Sequence, residues 1–323
     1  MEYKVLGNTG VKVSQLCLGT MSFGGDADEA TSAAMFKQCR DAGINFFDCA
    51  NVYTAGRAEE ILGKLIDDCR DELVITSKVF GQMGDHANAG GLSRRHVKQA
   101  VEDSLRRLNT DRLDVYFVHQ YDVDTPIEEV VDVLDELVRE GKILYPAVSN
   151  WSAWQTAKAL GVAERKDKVR FACIQPMYNL TKRQAEVELL PLAESEQLGV
   201  IPYSPVGGGL LAGRYSTGAK PKSGRLVENS MYTNRYYEDI YFEVAEKFVA
   251  HANVRGVHPV SLAVAWVGAH PAVTAPIIGA RNPEQLQASL AAVDVDMTAE
   301  WRAEIDALSP TPVLATDRSE ERS

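Results

Sequence analysis

The chain has 323 residues, 45% of them hydrophobic, with 34 Lys and Arg against 45 Asp and Glu for a formal charge of −11. That acidic balance speaks against a general nucleic-acid binder, whose footprint is basic, and no polybasic patch suits the chain to a membrane surface. The five cysteines (Cys17, Cys39, Cys49, Cys69, Cys173) are scattered with no C-x-x-C pair, which suggests reduced core thiols and not a disulfide framework.

The opening "MEYKVLGNTG" has neither a basic n-region nor an apolar h-region, so it does not read as a signal peptide. No apolar run approaches a membrane span. A soluble, cytoplasmic protein is expected. "EYKVLGNTGVKVS" is two short alternating runs about an Asn/Gly turn, a hairpin signal. Strand-like segments then recur at 16–19, 45–48, 73–78, 115–119, 144–149, 172–175, 200–204 and 274–279. Helical patterns lie between them. "HVKQAVEDSLRRLN" follows Ser93 as a cap, and "PIEEVVDVLDELVREGK" opens on proline and ends at Gly141. "SAWQTAKAL" and "RQAEVELLPLAESEQLG" follow, with a break or kink expected at Pro191.

Eight short strands interleaved with helices argue for parallel βαβ units, and eight is the number that closes a barrel with helices outside. An open doubly wound sheet is the rival, but "LCLGTMSFGG" after the first strand is not G-x-G-x-x-G. With no long polar linker, 1–323 reads as a single domain whose tail from 308 is poorly ordered. Two irregular stretches, 80–93 after the third strand and 206–237 after the seventh, read as lids or mobile loops.

The strand ends carry the chemistry. In order they are Gly19-Thr20, Asp48, Lys78, His119, Ser149-Asn150, Gln175, Tyr203-Ser204 and Gly279-Ala280-Arg281. Taken singly, each has an ordinary structural explanation. Asp48 caps a loop, Lys78 is a solvated strand end, His119 is a hydrogen-bonded structural histidine, and Tyr53 packs on the surface. Taken together, one mechanism uses all four. A phenol with an unperturbed pKa of about 10 is a poor acid at neutral pH. A neighbouring ammonium lowers that pKa, and a carboxylate holds the ammonium charged and oriented. With a histidine to orient a carbonyl, the set makes a tuned proton donor. No metal site is expected, because His and Cys do not fall at ligand spacing and H-E-x-x-H is absent.

Seven ordered segments carry a resemblance: "GINFFDCANVY", "VITSKV", "LRRLNTDRLDVYFVHQYD", "GKILYPAVSNW", "IQPMYN", "VIPYSPVGGGLLAGRY" and "PIIGARNPEQL". From the hairpin to about residue 290 the sequence resembles the aldo-keto reductase family. The resemblance implies an α/β fold, a (β/α)8 TIM barrel with an N-terminal β-hairpin and long active-face loops. It also implies NADP(H) bound without a Rossmann domain. Tyr53 then corresponds to the general acid, with Asp48, Lys78 and His119 completing a tetrad. Ser149, Asn150 and Gln175 correspond to groups that hydrogen-bond the nicotinamide carboxamide, and Tyr203 to the aromatic stacked on its ring. Ser204, Pro205 and Leu210 line the pyrophosphate path, while Gly213 and Arg214 fall in the loop folding over it. Gly19, Thr20, Met21, Asp48 and Val206 are further cofactor contacts. The segment from Gly279 and Ala280 to Gln285 receives the adenosine 2′-phosphate, with Arg281 its natural partner, since an arginine fork suits phosphate. Ser289 falls near the adenine; Ala288-Ser289 stand where many relatives have Glu-Asn.

On the substrate side, Phe23, Tyr121 and Trp151 are expected to form an apolar wall beside Tyr53 and His119. The implied activity is reversible NADPH-dependent reduction of an aldehyde or ketone. The alternative is an NADP(H)-binding regulatory or channel-subunit-like protein with negligible turnover. The expected partner is a small carbonyl substrate, with no nucleic acid and no membrane, and self-association is left open.

Overall fold

The computed structural model describes residues 1–215 and 224–316. Strands β1 (Tyr3–Val5) and β2 (Lys12–Ser14) pair antiparallel, Tyr3 opposite Ser14. The turn between them needs glycine at Gly7: its φ is +52°, and a Cβ there would lie 2.4 Å from the Ala172 carbonyl oxygen.

The remaining strands are β3 (Cys17–Gly19), β4 (Phe46–Asp48), β5 (Val74–Val79), β6 (Leu113–Val118), β7 (Ile143–Ser149), β8 (Cys173–Gln175), β9 (Gly199–Val200) and β10 (Ile277–Ile278). They pair in parallel in the order β10-β3-β4-β5-β6-β7-β8-β9. The two edges meet where Thr274 N donates to Val200 O at 2.8 Å and Ile277 N donates to Pro202 O at 2.9 Å. The sheet is thus a (β/α)8 barrel. The last two strands are shorter than the sequence suggests because Pro202 and Pro276 have no N–H to give a ladder.

Helices cover the outside, and their starts follow capping chemistry. Asp28 accepts from Thr31 N ahead of Glu29–Asp41, and Ser93 accepts from His96 N ahead of Arg94–Leu108. Helix Ile127–Arg139 begins right after Pro126. At the expected kink, the break precedes the proline. A 3-10 turn spans Gln184–Glu186, and the helix restarts as Leu189–Glu196. Pro191 therefore sits in the first turn, where its missing N–H costs nothing. A similar packing logic ties helix to sheet: the Phe36 and Phe47 rings lie 4.8 Å apart between Glu29–Asp41 and β4. Burying a ring of this size is worth about 1.5–3 kcal/mol.

Period-two alternation along the strands places the site. Inside the barrel, Cys17, Phe46, Val74, Val115, Phe117, Ala147, Cys173, Ile201 and Ala275 form one buried apolar cluster, with Leu6 and Val13 of the hairpin region at its base. Two residues on from several of these come Asp48, Thr76, His119, Ser149, Gln175 and Tyr203. The same inward row that is apolar below becomes polar at the strands' C-terminal ends.

All five cysteines are free, and Cys69 alone among them is not fully buried. Among the described residues no helix is long and apolar enough to cross a membrane. Of the two irregular stretches, the second contains a 3-10 turn Gly207–Ala212 and short helices Arg225–Glu228 and Ser230–Arg235. Its centre, 216–223, lies outside the described residues, as does 317–323 of the expected tail. Ahead of that, Val313 O accepts from Gln184 Nε2 at 3.4 Å.

Candidate active site

Lys78 is the hub. Its side chain is fully buried, and Nζ donates to Asp48 Oδ2 at 2.6 Å, to Cys49 O at 2.7 Å and to Tyr53 Oη at 3.2 Å. A buried ammonium is tolerated only when its charge is matched and its three protons are placed. Both conditions hold here. Asp48 is held in turn from its other oxygen: Thr76 Oγ1 donates to Oδ1 at 2.7 Å and Gln175 Nε2 at 2.9 Å. His119 stands edge-on to Tyr53, ring centroids 6.0 Å apart at 77°.

The loop carrying Tyr53 is held by unusual backbone. Thr54 and Ala55 have φ of +46° and +54°, followed by Gly56 at +93°. A β-branched residue in the left-handed region stores strain of about 1–3 kcal/mol. Thr54 Oγ1 offsets part of it by donating to Phe23 O at 2.9 Å, so the loop after Tyr53 is tied to the loop after β3. Asn150 and Ser204, at the ends of β7 and of the β9 segment, also have positive φ, +56° and +57°.

Electrostatics separates the two candidate acids. Burial raises the Tyr53 pKa to about 12 despite the nearby Lys78 ammonium. The sequence reading expected the ammonium to lower that pKa; here desolvation of the phenolate outweighs it. Burial, with Lys78 in support, lowers the His119 pKa to about 3. Lys78 itself is pushed down by burial but raised more by Asp48 and Tyr53, and ends above its ordinary value. At neutral pH the cluster is therefore a phenol, a neutral imidazole and an ammonium.

Tyr53, His119 and Asp48 open onto a cavity of about 1160 Å³, large for a drug-sized ligand site and sufficient for a dinucleotide. Of the residues expected at a cofactor, Gly19, Met21, Ser149, Asn150, Gln175, Tyr203, Ser204, Pro205, Val206, Arg214, Gly279, Ala280, Arg281, Gln285 and Ser289 line it. Thr20 and Leu210 are buried behind the wall at 0% exposure, and Gly213 is exposed but not on the lining. The donor set fits a nicotinamide dinucleotide. Hydroxyl and amide groups (Ser149, Asn150, Gln175) stand near an aromatic platform (Tyr203), and guanidinium groups (Arg214, Arg281) supply charge for phosphates. Tyr203 Oη donates to Asn150 Oδ1 at 2.7 Å, and Asn150 Nδ2 donates to His119 O at 2.8 Å, so the platform is linked to the histidine strand.

The residues expected as a substrate wall, Phe23, Tyr121 and Trp151, are not on the lining of this cavity. Phe23 is 0% exposed and Trp151 4% exposed. Tyr121 and Trp151 pack edge-on to each other at 5.2 Å. Aromatic type at a strand end does not fix which way a side chain turns. Met21, Val52 and Phe80 are apolar residues that line the cavity together with Tyr53. Val52 was legible as a neighbour of Tyr53, and Phe80 as the first residue past β5. The bracing of Asp48 by Gln175 and Thr76 had no local sequence signal, since these residues come from different strands. Among the described residues no cluster of His, Cys, Asp or Glu could hold a metal.

The aldo/keto reductase family model matches residues 15–310. An uncharacterized oxidoreductase, YrpG, of Bacillus subtilis is 38% identical over 328 residues, covering 97% of each chain. A probable voltage-gated potassium channel subunit beta of Arabidopsis thaliana is 39% identical over 302 residues, 91% of this chain and 92% of that one. A protein of the same description from rice is 38% identical over the same length. With a match of this extent over a barrel of this form, the chain belongs to the aldo/keto reductase family of oxidoreductases.

Proposed function

We propose that the protein is an NADP(H)-dependent carbonyl reductase, reducing an aldehyde or ketone to the alcohol and able to run in reverse. The observation that carries this reading is the buried Asp48–Lys78–Tyr53 chain of contacts ending in a phenol on the cavity wall. When bound, the cofactor supplies a hydride to the carbonyl carbon. Tyr53 supplies the proton to the carbonyl oxygen, and Lys78 stabilises the negative charge left on the phenol oxygen. Asp48 keeps the ammonium in place. His119 is neutral and orients the carbonyl by hydrogen bonding. Ser149, Asn150 and Gln175 are the groups for the carboxamide, Tyr203 for the ring and Arg281 for the 2′-phosphate. Met21, Val52 and Phe80 shape the apolar side of the substrate space.

A second reading, a binding module that senses NADP(H) without turnover, is favoured by the likeness to proteins described as potassium channel beta subunits. A panel of small aldehydes and ketones separates the two by NADPH consumption at 340 nm. Turnover of any member at rates of about 1 s⁻¹ or more, in the range of ordinary enzymes, is expected for the reductase. Saturable NADPH binding with no consumption across the panel rejects it in favour of the sensor.

A further inference from the structure

Arg281 lines the cavity, but its guanidinium is already engaged. Nε lies 3.0 Å from Asp26 Oδ2, and Nη2 lies 3.6 Å from Glu228 Oε2. Asp26 comes from the loop between β3 and its helix, and Glu228 ends the short helix Arg225–Glu228 that follows β9. The two carboxylates thus approach one arginine from separate elements. All three side chains are partly open to water, at 35% exposure for Arg281, 47% for Asp26 and 51% for Glu228. Glu284 lines the same cavity, as do Arg214 and Arg235, but the two carboxylates at Arg281 itself are Asp26 and Glu228.

We propose that Asp26 and Glu228 are specificity-determining residues for the cofactor, competing with the 2′-phosphate for Arg281 and so narrowing the preference for NADP(H) over NAD(H). This rests on the reading of Arg281 as the phosphate partner. A phosphate monoester carries a charge of about −1.5 to −2 at neutral pH. Whether it displaces a carboxylate or shares the five-donor guanidinium with both, its charge sits well inside the screening length of about 8–10 Å from each of them. The incoming phosphate therefore meets a guanidinium already shared with carboxylates. A ribose 2′-hydroxyl carries no charge to repel, and a carboxylate is a good acceptor for it. The arrangement penalises one cofactor and not the other.

Exposed ion pairs contribute little to stability, so Asp26→Asn, Glu228→Gln and the double variant are expected to fold. The full-length proteins are titrated with NADPH, NADH and 2′,5′-ADP, which carries the phosphate but no nicotinamide. Each single variant is expected to bind NADPH and 2′,5′-ADP about three- to tenfold more tightly, and the double variant more than about tenfold. NADH stays unchanged or weakens, and the gain for the phosphorylated ligands shrinks at about 0.5 M salt. Unchanged NADPH affinity, or an equal gain for NADH, overturns the proposal. Arg281→Ala separates this from its premise. Loss of NADPH selectivity in Arg281→Ala with no gain in Asp26→Asn or Glu228→Gln rejects the competition alone. An unaltered NADPH-to-NADH ratio in Arg281→Ala rejects Arg281 as the phosphate partner, and the competition with it.

Discussion

Tyr53→Phe removes one oxygen atom from the site and leaves its scaffold in place. The phenol oxygen is one of three acceptors around Lys78 Nζ; Asp48 Oδ2 at 2.6 Å and Cys49 O at 2.7 Å remain. The buried ammonium therefore keeps its counter-charge, and the lost hydrogen bond costs about 1 kcal/mol of stability. The chemical cost is of another order. A positioned general acid contributes about 10²–10⁴-fold, or roughly 2.7–5.5 kcal/mol of barrier. His119 cannot stand in as an imidazolium, because its pKa is lowered to about 3 by burial and by Lys78. Reduction at saturating NADPH should thus fall by at least about 10², while the NADPH dissociation constant, read by fluorescence quenching, stays within about threefold.

The pH profile supplies an independent check. A Tyr53 pKa raised to about 12 leaves the phenol protonated, and so competent as an acid, at every pH below that value. Reduction by the wild type should therefore show no descending limb from Tyr53 between about pH 6 and 9. By the same sign, stability from the buried neutral phenol is present below the unfolded pKa of about 10 and is lost as pH rises toward 12. Near-normal turnover in Tyr53→Phe would sink the proton-donor assignment. A Tyr53-dependent loss of rate near neutral pH would refute the burial argument while sparing the assignment.

Lys78→Met leaves Asp48, 2% exposed, with hydrogen bonds from Thr76 and Gln175 but no counter-ion; it should lose activity and about 3–5 kcal/mol of stability by urea denaturation. Adding Asp48→Asn should recover much of the stability and none of the activity, and failure to recover would mean the pair is not the source of the cost. Val206, Arg214 and Met231, in the described stretches 206–215 and 224–237, line the cavity, so NADP⁺ should slow cleavage in those stretches in limited proteolysis. Equal cleavage with and without cofactor would count against these stretches contacting it.

The strand count, the hairpin and the order of elements were legible because each leaves a local pattern. Apolar runs of strand length, a Ser93 cap and an Asn/Gly turn act over a few residues. The inward polar row was legible for a related reason: period two carries Phe46 to Asp48 and Phe117 to His119. Sums of long-range terms were not legible. The Tyr53 pKa depends on desolvation by residues from several strands, which outweighs the one visible neighbour, Lys78. Phe23 looked like a wall because it is aromatic and follows a strand. Only the fold turns its ring into the core and makes its carbonyl the acceptor for Thr54. The Thr54–Ala55 left-handed pair was hidden as well, since neither residue type announces a positive φ. The departure from expected strand lengths at Pro202 and Pro276 was, by contrast, written in the sequence and simply needed the ladder's donors to be counted.

These same contrasts bear on the choice between reductase and sensor. Fold does not decide it, since relatives described as an oxidoreductase and as channel subunits match the chain over nearly the same length. The chemistry of burial bears on the choice. A fully buried ammonium with a carboxylate at 2.6 Å is an expensive device: desolvation costs several kcal/mol per ion, and replacing such a pair by apolar residues is often neutral or stabilising. Lys78 is fully buried and is not among the residues lining the cavity. What Lys78 does reach is Tyr53 Oη. In the proposed reductase this ammonium would stabilise the charge that proton transfer from the phenol develops on that oxygen. The sensor reading accounts for the cavity and for Arg281 and leaves the Lys78–Tyr53 contact a structural one, which is why the Tyr53→Phe turnover measurement separates the two readings.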